Sequence, residues 1–313
     1  MSDLIAVPRE DDREQLLRLA LAGIASGATR RAYTAAMDEF LTWARYQTPP
    51  GFSKVLVQQY KSMLLDKGLA PATVNQRLAA VRRLAAEAAD NGLLDASVAA
   101  AIGRVRGVRR HGVRLGHWLD RQKIERLLQA PGGGSLRALR DSAILALLFG
   151  GGLRRSEITA VTIEHFRMIE ERWVIVDLKG KHGRVRSVPI PSWTKEAVDG
   201  WTKAAGISAG VVFRPIDKCG CVQSTPLGPQ SVYNIVGEYA VLVDPKVSPH
   251  DLRRSFARLA HESNAPIEQL SLTLGHSSVA TTERYVAAKQ NFRMAPCDFL
   301  RLDLSKGPAA DRL

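Results

Sequence analysis

Ser248-Pro249-His250-Asp251-Leu252-Arg253-Arg254-Ser255-Phe256, then Leu274-Gly275-His276-Ser277-Ser278 and Thr281-Thr282-Glu283-Arg284-Tyr285, form the stretch around which this 313-residue chain is ordered. Ser248 is a favoured helix N-cap, Pro249 suits the first helical position, and Asp251 sits three after the cap. A helix opening there puts His250 and Arg253 on one face, with Leu252, Phe256, Leu259 and Ala260 on its apolar side. A second helix, over residues 266–274, is expected to stop at Gly275. That leaves His276 in a loop, and Ser277 or Ser278 can cap a third helix carrying Tyr285. Taken singly, these pieces read as a solvated helix face, a helix-to-helix turn and a half-buried tyrosine. Their joint order and spacing instead point three nitrogen donors and a phenol at a single phosphate.

Length and charge agree with that reading. A chain of this size can bury a full core and suggests two domains. Its 44 Lys and Arg against 31 Asp and Glu leave a formal charge of +13, which favours a polyanionic partner, most simply nucleic acid. No apolar run approaches the ~20 residues of a spanning helix, and the N-terminus lacks the basic start and long apolar core of a secretory signal. A cytoplasmic protein is expected. Cys219 and Cys221 form a lone Cys-x-Cys with no second pair to complete a zinc site, and read as reduced thiols in a turn. No metal or cofactor is expected.

Upstream, the pattern is helical. Residues 1–22 read as a charged extension or short leading helix. From Thr29, a candidate cap, Tyr33, Met37, Phe40 and Ala44 recur at helical spacing. Ser53 caps a helix with Leu56, Tyr60 and Met63 or Leu64 inward. Pro71 opens another, with Val74, Leu78, Val81, Ala85 and Ala88 as its apolar stripe. Asn75, Arg82 and Arg83 lie on the other side of that helix, which either reads a DNA groove or is an ordinary solvated face. Five arginines follow with no acid: Arg104, Arg106, Arg109, Arg110 and Arg114. Such a run is expected to be a linker, lying along a DNA backbone or serving as a flexible basic tether.

The second half opens with Asp120 as a cap and a strongly apolar helix over residues 139–149, ended by three glycines. Leu153-Arg154-Arg155-Ser156-Glu157 follows, on or just before another helical turn. Residues 173–178 and 185–190 read as strands of a hairpin with a basic tip, and residues 211–214 as a further short strand. Residues 229–243 are again helical. The fold class is mainly α with a small antiparallel hairpin or sheet in the C-terminal domain.

Chemically, two arginines can fork onto the non-bridging oxygens of a phosphodiester and neutralise transition-state charge, the work a metal ion would otherwise do. Tyrosine can be a covalent nucleophile. Its ordinary pKa near 10 means that full deprotonation at neutral pH costs ~4 kcal/mol, which nearby arginines and a proton-accepting histidine reduce. A hairpin lysine can protonate the departing 5′ oxygen.

These residues resemble the tyrosine recombinase (phage integrase) family. Its Gly-x-Arg-x-Ser-Glu box stands as Gly152-Leu153-Arg154-Arg155-Ser156-Glu157, and its His-x-Leu-Arg box as His250-Asp251-Leu252-Arg253. Leu-Gly-His with a tyrosine nine later stands as His276 and Tyr285. Upstream, residues 29–33 and 71–75 resemble the family's core-binding domain, so the likeness spans about residues 23–286. Gly151 departs from the family, where a threonine often precedes the first box.

The resemblance implies a site-specific recombinase that forms a 3′-phosphotyrosyl intermediate and exchanges strands through a Holliday junction. Arg154 and Arg253 would clamp the phosphate, with His276 assisting and Tyr285 attacking. His250 would be general acid or base, and Glu157 would brace Arg154. Counting back eight from Pro189 assigns the lysine as Lys181, with Lys179 the alternative. Arg30 and Arg31 would join Asn75, Arg82, Arg83 and the linker arginines on DNA. The implied organisation is a two-domain, C-shaped clamp: an extension (1–22), a core-binding, SAM-like domain (23–100), a basic linker (101–117), a catalytic domain (118–288) and a tail (289–313). The family works as a tetramer on two DNA sites, each protomer lending its tail to a neighbour. Here the apolar tail residues Phe292, Met294, Phe299 and Leu300 would dock in trans or pack in cis. The short extension leaves no room for a separate arm-site-binding domain, which suggests a simple Xer-like recombinase. The sequence fits chromosome-dimer resolution and mobile-element integration equally. Two other readings compete: a type IB topoisomerase, which shares this catalytic set, and a non-catalytic DNA-binding regulator.

Overall fold

The computed structural model describes residues 10–48, 52–109, 117–180, 183–276 and 278–286, without the side chains of residues 10–12, 284 and 285. The chain divides into two compact units, Met1–Arg114 and Leu115–Leu313.

The first unit contains α1 (Glu10–Leu21), α2 (Gly27–Ala44), α3 (Lys54–Asp66), α4 (Pro71–Asp90) and α5 (Ala96–Gly103). α4 packs against all four others, because its stripe of Val74, Leu78, Val81, Ala85 and Ala88, widened by Ala80 and Leu84, is fully buried. Each buried leucine or valine contributes ~1.5–3 kcal/mol. Phe40, Trp43, Phe52 and Tyr60 form one aromatic cluster beside it. Ser53 caps α3 as expected, its hydroxyl accepting the Leu56 N–H at 3.2 Å. α2 starts earlier than expected: Ser26, not Thr29, is its cap, and the Ser26 hydroxyl accepts the Thr29 N–H at 3.4 Å.

The arginine-rich stretch is less free than its composition suggests. Residues 101–103 complete α5, and Ile102 and Val105 are buried in this unit's core. The following backbone is tied to neighbouring helices. Asn75 Nδ2 donates to the Val108 carbonyl at 2.9 Å, and the Val108 N–H donates back to Asn75 Oδ1 at 2.7 Å. Arg82 donates to the Val105 carbonyl, and Lys61 to that of Arg106 at 3.2 Å. Two apolar side chains and these bonds anchor residues 102–108, the first part of a run that charge counting alone reads as a linker.

The second unit holds α6 (Arg121–Gln129), α7 (Leu136–Gly150), α8 (Arg155–Ile158), strands β1 (Phe166–Ile169), β2 (Arg172–Lys179) and β3 (Val185–Pro189), then α9 (Ser192–Ala204), α10 (Pro229–Ala240), α11 (Pro249–Glu262), α12 (Ile267–Leu274) and α13 (Val279–Val286). α7 is the central helix, with residues 143–148 all buried against α6, α8, α9, α10 and α11. Asp120 caps α6 through the Lys123 N–H at 2.8 Å. Leu119 N–H donates to the buried Ser255 Oγ at 2.8 Å, fixing the start of this unit on α11.

The sheet is antiparallel in the order β1-β2-β3. Ile175 pairs with Val188 and Lys179 with Val185. β1 is additional to the expected hairpin. The expected strand at residues 211–214 is reduced to an isolated bridge between Val211 and Thr162. Among the described residues, no helix is long and apolar enough to cross a membrane. The tail from residue 287 onward, with the anchors expected there, lies outside the described residues.

Candidate active site

The site is assembled around the C-terminal end of α12. The last carbonyls of any helix lack intrahelical partners and carry the negative end of its dipole. Here three guanidinium groups take them up. Arg186 Nε donates to the Thr273 carbonyl at 2.8 Å, while Arg154 Nη2, at 3.2 Å, and Arg253 Nη2 both donate to that of Leu274. Arg253 also donates to the Gly152 carbonyl. Two arginines far apart in sequence are thus held on a common oxygen.

Each arginine is placed by local chemistry. Ser248, Pro249 and Asp251 start α11 as expected, with the Ser248 N–H and hydroxyl donating to Asp251 Oδ2 at 3.0 and 2.6 Å. That start puts His250 in the first turn and Arg253 three residues on, on the same face, and Arg253 is only 1% exposed. Arg154 caps α8 and donates its N–H to Glu157 Oε2 and its Nη1 to Glu157 Oε1, both at 2.8 Å. Gly152, at φ +57°, makes the turn that precedes it; a β-carbon there would also lie 2.7 Å from the Phe256 ring. At Gly275, φ is +60° and a β-carbon would lie 2.8 Å from Arg186 Cδ, so the exit from α12 requires glycine.

Glu157 is the counter-charge. It is 3% exposed and takes a two-pronged bond from Arg186, 2.7 and 2.8 Å, besides those from Arg154. Burial alone would push its carboxyl up. The Arg186 fork and the Arg154 bonds outweigh burial and hold the pKa at about 2. A permanently ionised carboxylate and two helix-end carbonyls therefore keep three like charges together.

The histidines are poised as neutral groups. Burial, then Arg253, Arg154, Arg186 and His250, lowers the His276 pKa to about 4. Its Nδ1 meets Thr282 Oγ1 at 2.9 Å. The His250 pKa is also lowered, by burial first and then by Arg254, Arg253 and Arg154, against an opposing pull from Asp251. A cleft of about 380 Å³ opens over Arg154, Arg155, Tyr233, His250 and Arg253. A larger groove of about 770 Å³ lies in the first unit, between Trp43 and Lys67. It brings no such set of ionisable groups together, so chemistry rather than volume selects the smaller one.

The structure gathers Arg154, Glu157, His250, Arg253 and His276, and adds Arg186 and Thr282, which sequence reasoning passed over. Arg186 had one legible signal, a basic residue in the middle of β3. Tyr285 lies in α13, one residue short of a turn beyond Thr282, and its side chain is outside the described residues. Lys181 is also outside them. Its neighbour Gly180 borders the cluster, since a β-carbon there would be 3.4 Å from Arg186 Nη1 and 3.7 Å from Arg154 Nη1. Lys179 is exposed on β2. Of the residues expected on DNA, Arg30, Arg31, Arg104, Arg106 and Arg109 are exposed, while Arg110 and Arg114 lie outside the described residues. Arg30 donates to the Ile24 carbonyl at 3.0 Å, and Arg83 to those of Ala20 and Ala22 at 2.6 and 2.7 Å. Asn75 and Arg82 likewise bond backbone carbonyls of their own unit. Among the described residues, no group of three or more His, Cys, Asp or Glu could hold a metal ion.

Residues 117–291 match the phage integrase family. Tyrosine recombinase XerC of Pseudomonas putida (strain W619) is 29% identical over 266 residues, covering 82% of this chain and 84% of that protein. XerC of Xanthomonas campestris pv. campestris (strain B100) is 29% identical over 275 residues, covering 86% and 81%. Among solved structures, the XerH site-specific recombinase bound to palindromic difH substrate, a post-cleavage complex, superposes with a TM-score of 0.67 at 18% identity over 90% of this chain and 82% of that one. A lambda integrase (75–356) dimer bound to a COC′ core site gives 0.63 at 15% identity, over 87% and 93%. The arginine-centred site and these likenesses agree, and the chain belongs to the phage integrase family as a Xer-like tyrosine recombinase.

Proposed function

We propose that this enzyme cuts and rejoins double-stranded DNA at specific sites through a covalent 3′-phosphotyrosyl intermediate. The observation that carries the mechanism is the shared acceptor. Arg154 and Arg253, from different elements, already donate to one oxygen, that of Leu274, so a scissile phosphate placed beside it meets two preorganised forks. The Tyr285 oxygen attacks phosphorus, the bond to the 5′ oxygen breaks, and Lys181 protonates that leaving group, with Lys179 as the alternative donor. His250, kept neutral by burial and by its arginine neighbours, accepts the tyrosine proton. His276, steadied by Thr282, donates to a phosphate oxygen. Attack by a 5′ hydroxyl from the partner duplex reverses these steps and restores a phosphodiester.

The phosphotyrosyl bond conserves the energy of the bond it replaces, so no nucleotide is consumed. The arginines supply the positive charge that other phosphoryl-transfer sites draw from a metal ion. Exchange at paired sites proceeds through a Holliday junction in a tetramer. An apolar groove of about 450 Å³, lined by Ile124, Leu128, Phe149, Trp193, Phe256 and Leu259, is a receiver for the apolar tail of a neighbouring protomer. Arg31, Arg104, Arg106 and Arg109 neutralise DNA phosphates from the first unit.

A nicked duplex that loses a short 5′-terminal fragment on cleavage tests the reading. Selected from the sites this protein binds, it accumulates a protein–DNA complex that survives denaturation. Binding with no such complex would leave a DNA-binding regulator. Relaxation of plasmids lacking the site would indicate topoisomerase action.

A further inference from the structure

We infer that Cys219-Gly220-Cys221 is a dithiol modification site that closes reversibly to a disulfide by exchange with low-molecular-weight disulfides. Both thiols are free and exposed. They sit at the tip of a small hairpin. Ile216 bridges Val222, the Asp217 N–H donates to the Cys221 carbonyl at 3.0 Å, and the Gln223 N–H donates to that of Pro215 at 2.8 Å. The unusual feature is the carboxylate of Asp217. Its Oδ1 accepts the backbone N–H of Cys219 and that of Cys221, each at 2.9 Å, so one oxygen curls both cysteines around itself. Gly220 makes the bend at φ +82°, a conformation that costs an L side chain and not glycine.

Cα atoms two residues apart cannot be more than ~7 Å apart, and a bend brings them inside the ~4.4–6.8 Å window of disulfides. Asp217 Oδ2 is meanwhile engaged by Gln223 Nε2 at 2.8 Å. Among the described residues, Asp217 and the two cysteines included, no group of three or more His, Cys, Asp or Glu could hold a metal ion. The two thiols are left to covalent chemistry with one another.

The exchange balances without any further reactant. The thiolate of Cys219 attacks one sulfur of a small disulfide, and that S–S bond breaks. One small thiol leaves with the electron pair and takes up the proton Cys219 gave up. The thiolate of Cys221 then attacks Cys219 Sγ and expels the second small thiol, which takes up the proton from Cys221. The protein dithiol is oxidised and one disulfide is reduced to two thiols; the roles of the two cysteines can interchange. A ring closed over a single intervening residue is strained and hence easily reduced, as suits a reversible switch. The hairpin lies on the connection into α10, whose Tyr233 lines the cleft, and the site does not depend on the proposed reaction.

The test uses the full chain with Cys297→Ser, which removes the third thiol, exposed to excess oxidised glutathione and then digested for mass spectrometry. The peptide bearing Cys219 and Cys221 is expected to be lighter by two hydrogens and to recover with dithiothreitol. Adding Cys221→Ser is expected to trap one glutathione on Cys219. The inference is overturned if the unsubstituted pair keeps glutathione as a stable adduct or stays fully reduced. It is also overturned if neither the Cys221→Ser chain nor the Cys219→Ser chain takes up glutathione.

Discussion

Glu157 is the residue on which the site's electrostatics turn. Two arginines bind it in a buried setting, where removing one member of such a set strands the others. Its folded pKa of about 2 lies below the ordinary 4.5. Its contribution to stability is therefore complete above about pH 4.5 and is lost as pH falls toward 2. Glu157→Gln is expected to flatten that part of the stability–pH curve, measured by urea unfolding between those limits. It should also lower the unfolding free energy at pH 7 by about 3–5 kcal/mol, the usual cost of breaking a buried ionic set. His276 is the second such residue. Its imidazole, with a pKa near 4 in the free protein, should titrate higher once a phosphodiester's negative charge enters the site. NMR titration of the His276 ring with and without DNA reads this directly, and an unchanged pKa would place the phosphate elsewhere.

At the scale of elements, legibility follows how local the signal is. Ser248-Pro249-His250-Asp251 and the Gly275 stop were readable because caps and left-handed turns are written in a few adjacent residues. β1 was not. Its turn to β2 is Glu170-Glu171, at φ +47° and +60°, a two-residue hairpin of the kind normally marked by Asn-Gly. With two glutamates there, nothing announces it. α9 was missed although Thr194, Val198 and Trp201, all buried, carry helical spacing. The commitments of Asn75, Arg82 and Arg83 to backbone carbonyls were illegible for another reason. Their partners lie 23 to 63 residues away, and a polar helix face looks the same whether it meets solvent, DNA or another part of the chain. If the glutamate turn is strained, replacing Glu170-Glu171 with Asn-Gly should raise the melting temperature. A left-handed conformation costs an L residue ~1–2 kcal/mol; no rise in a thermal melt would mean that the glutamates are compensated locally.

For the molecule as a whole, the gathering of Arg154, Glu157, His250, Arg253 and His276 was legible because a family motif compresses a three-dimensional requirement into short strings. Arg186 was not, because its partners, Glu157 and Thr273, lie in other elements. The +13 charge and the arginine cluster make one prediction at this scale. Trapped-complex formation should proceed at an undiminished rate in EDTA if, as proposed, Arg154 and Arg253 supply the neutralising charge. A dependence on added Mg²⁺ would assign that work to a metal ion.

In the proposed reaction the arginine cluster presents a phosphate to Tyr285. Mass-spectrometric mapping of the peptide left on DNA after trapping tests it most directly. A 3′-phosphoryl linkage on Tyr285 is expected, with no adduct from Tyr285→Phe. A linkage on any other residue, a 5′ linkage, or an adduct that persists in Tyr285→Phe would contradict the proposed reaction.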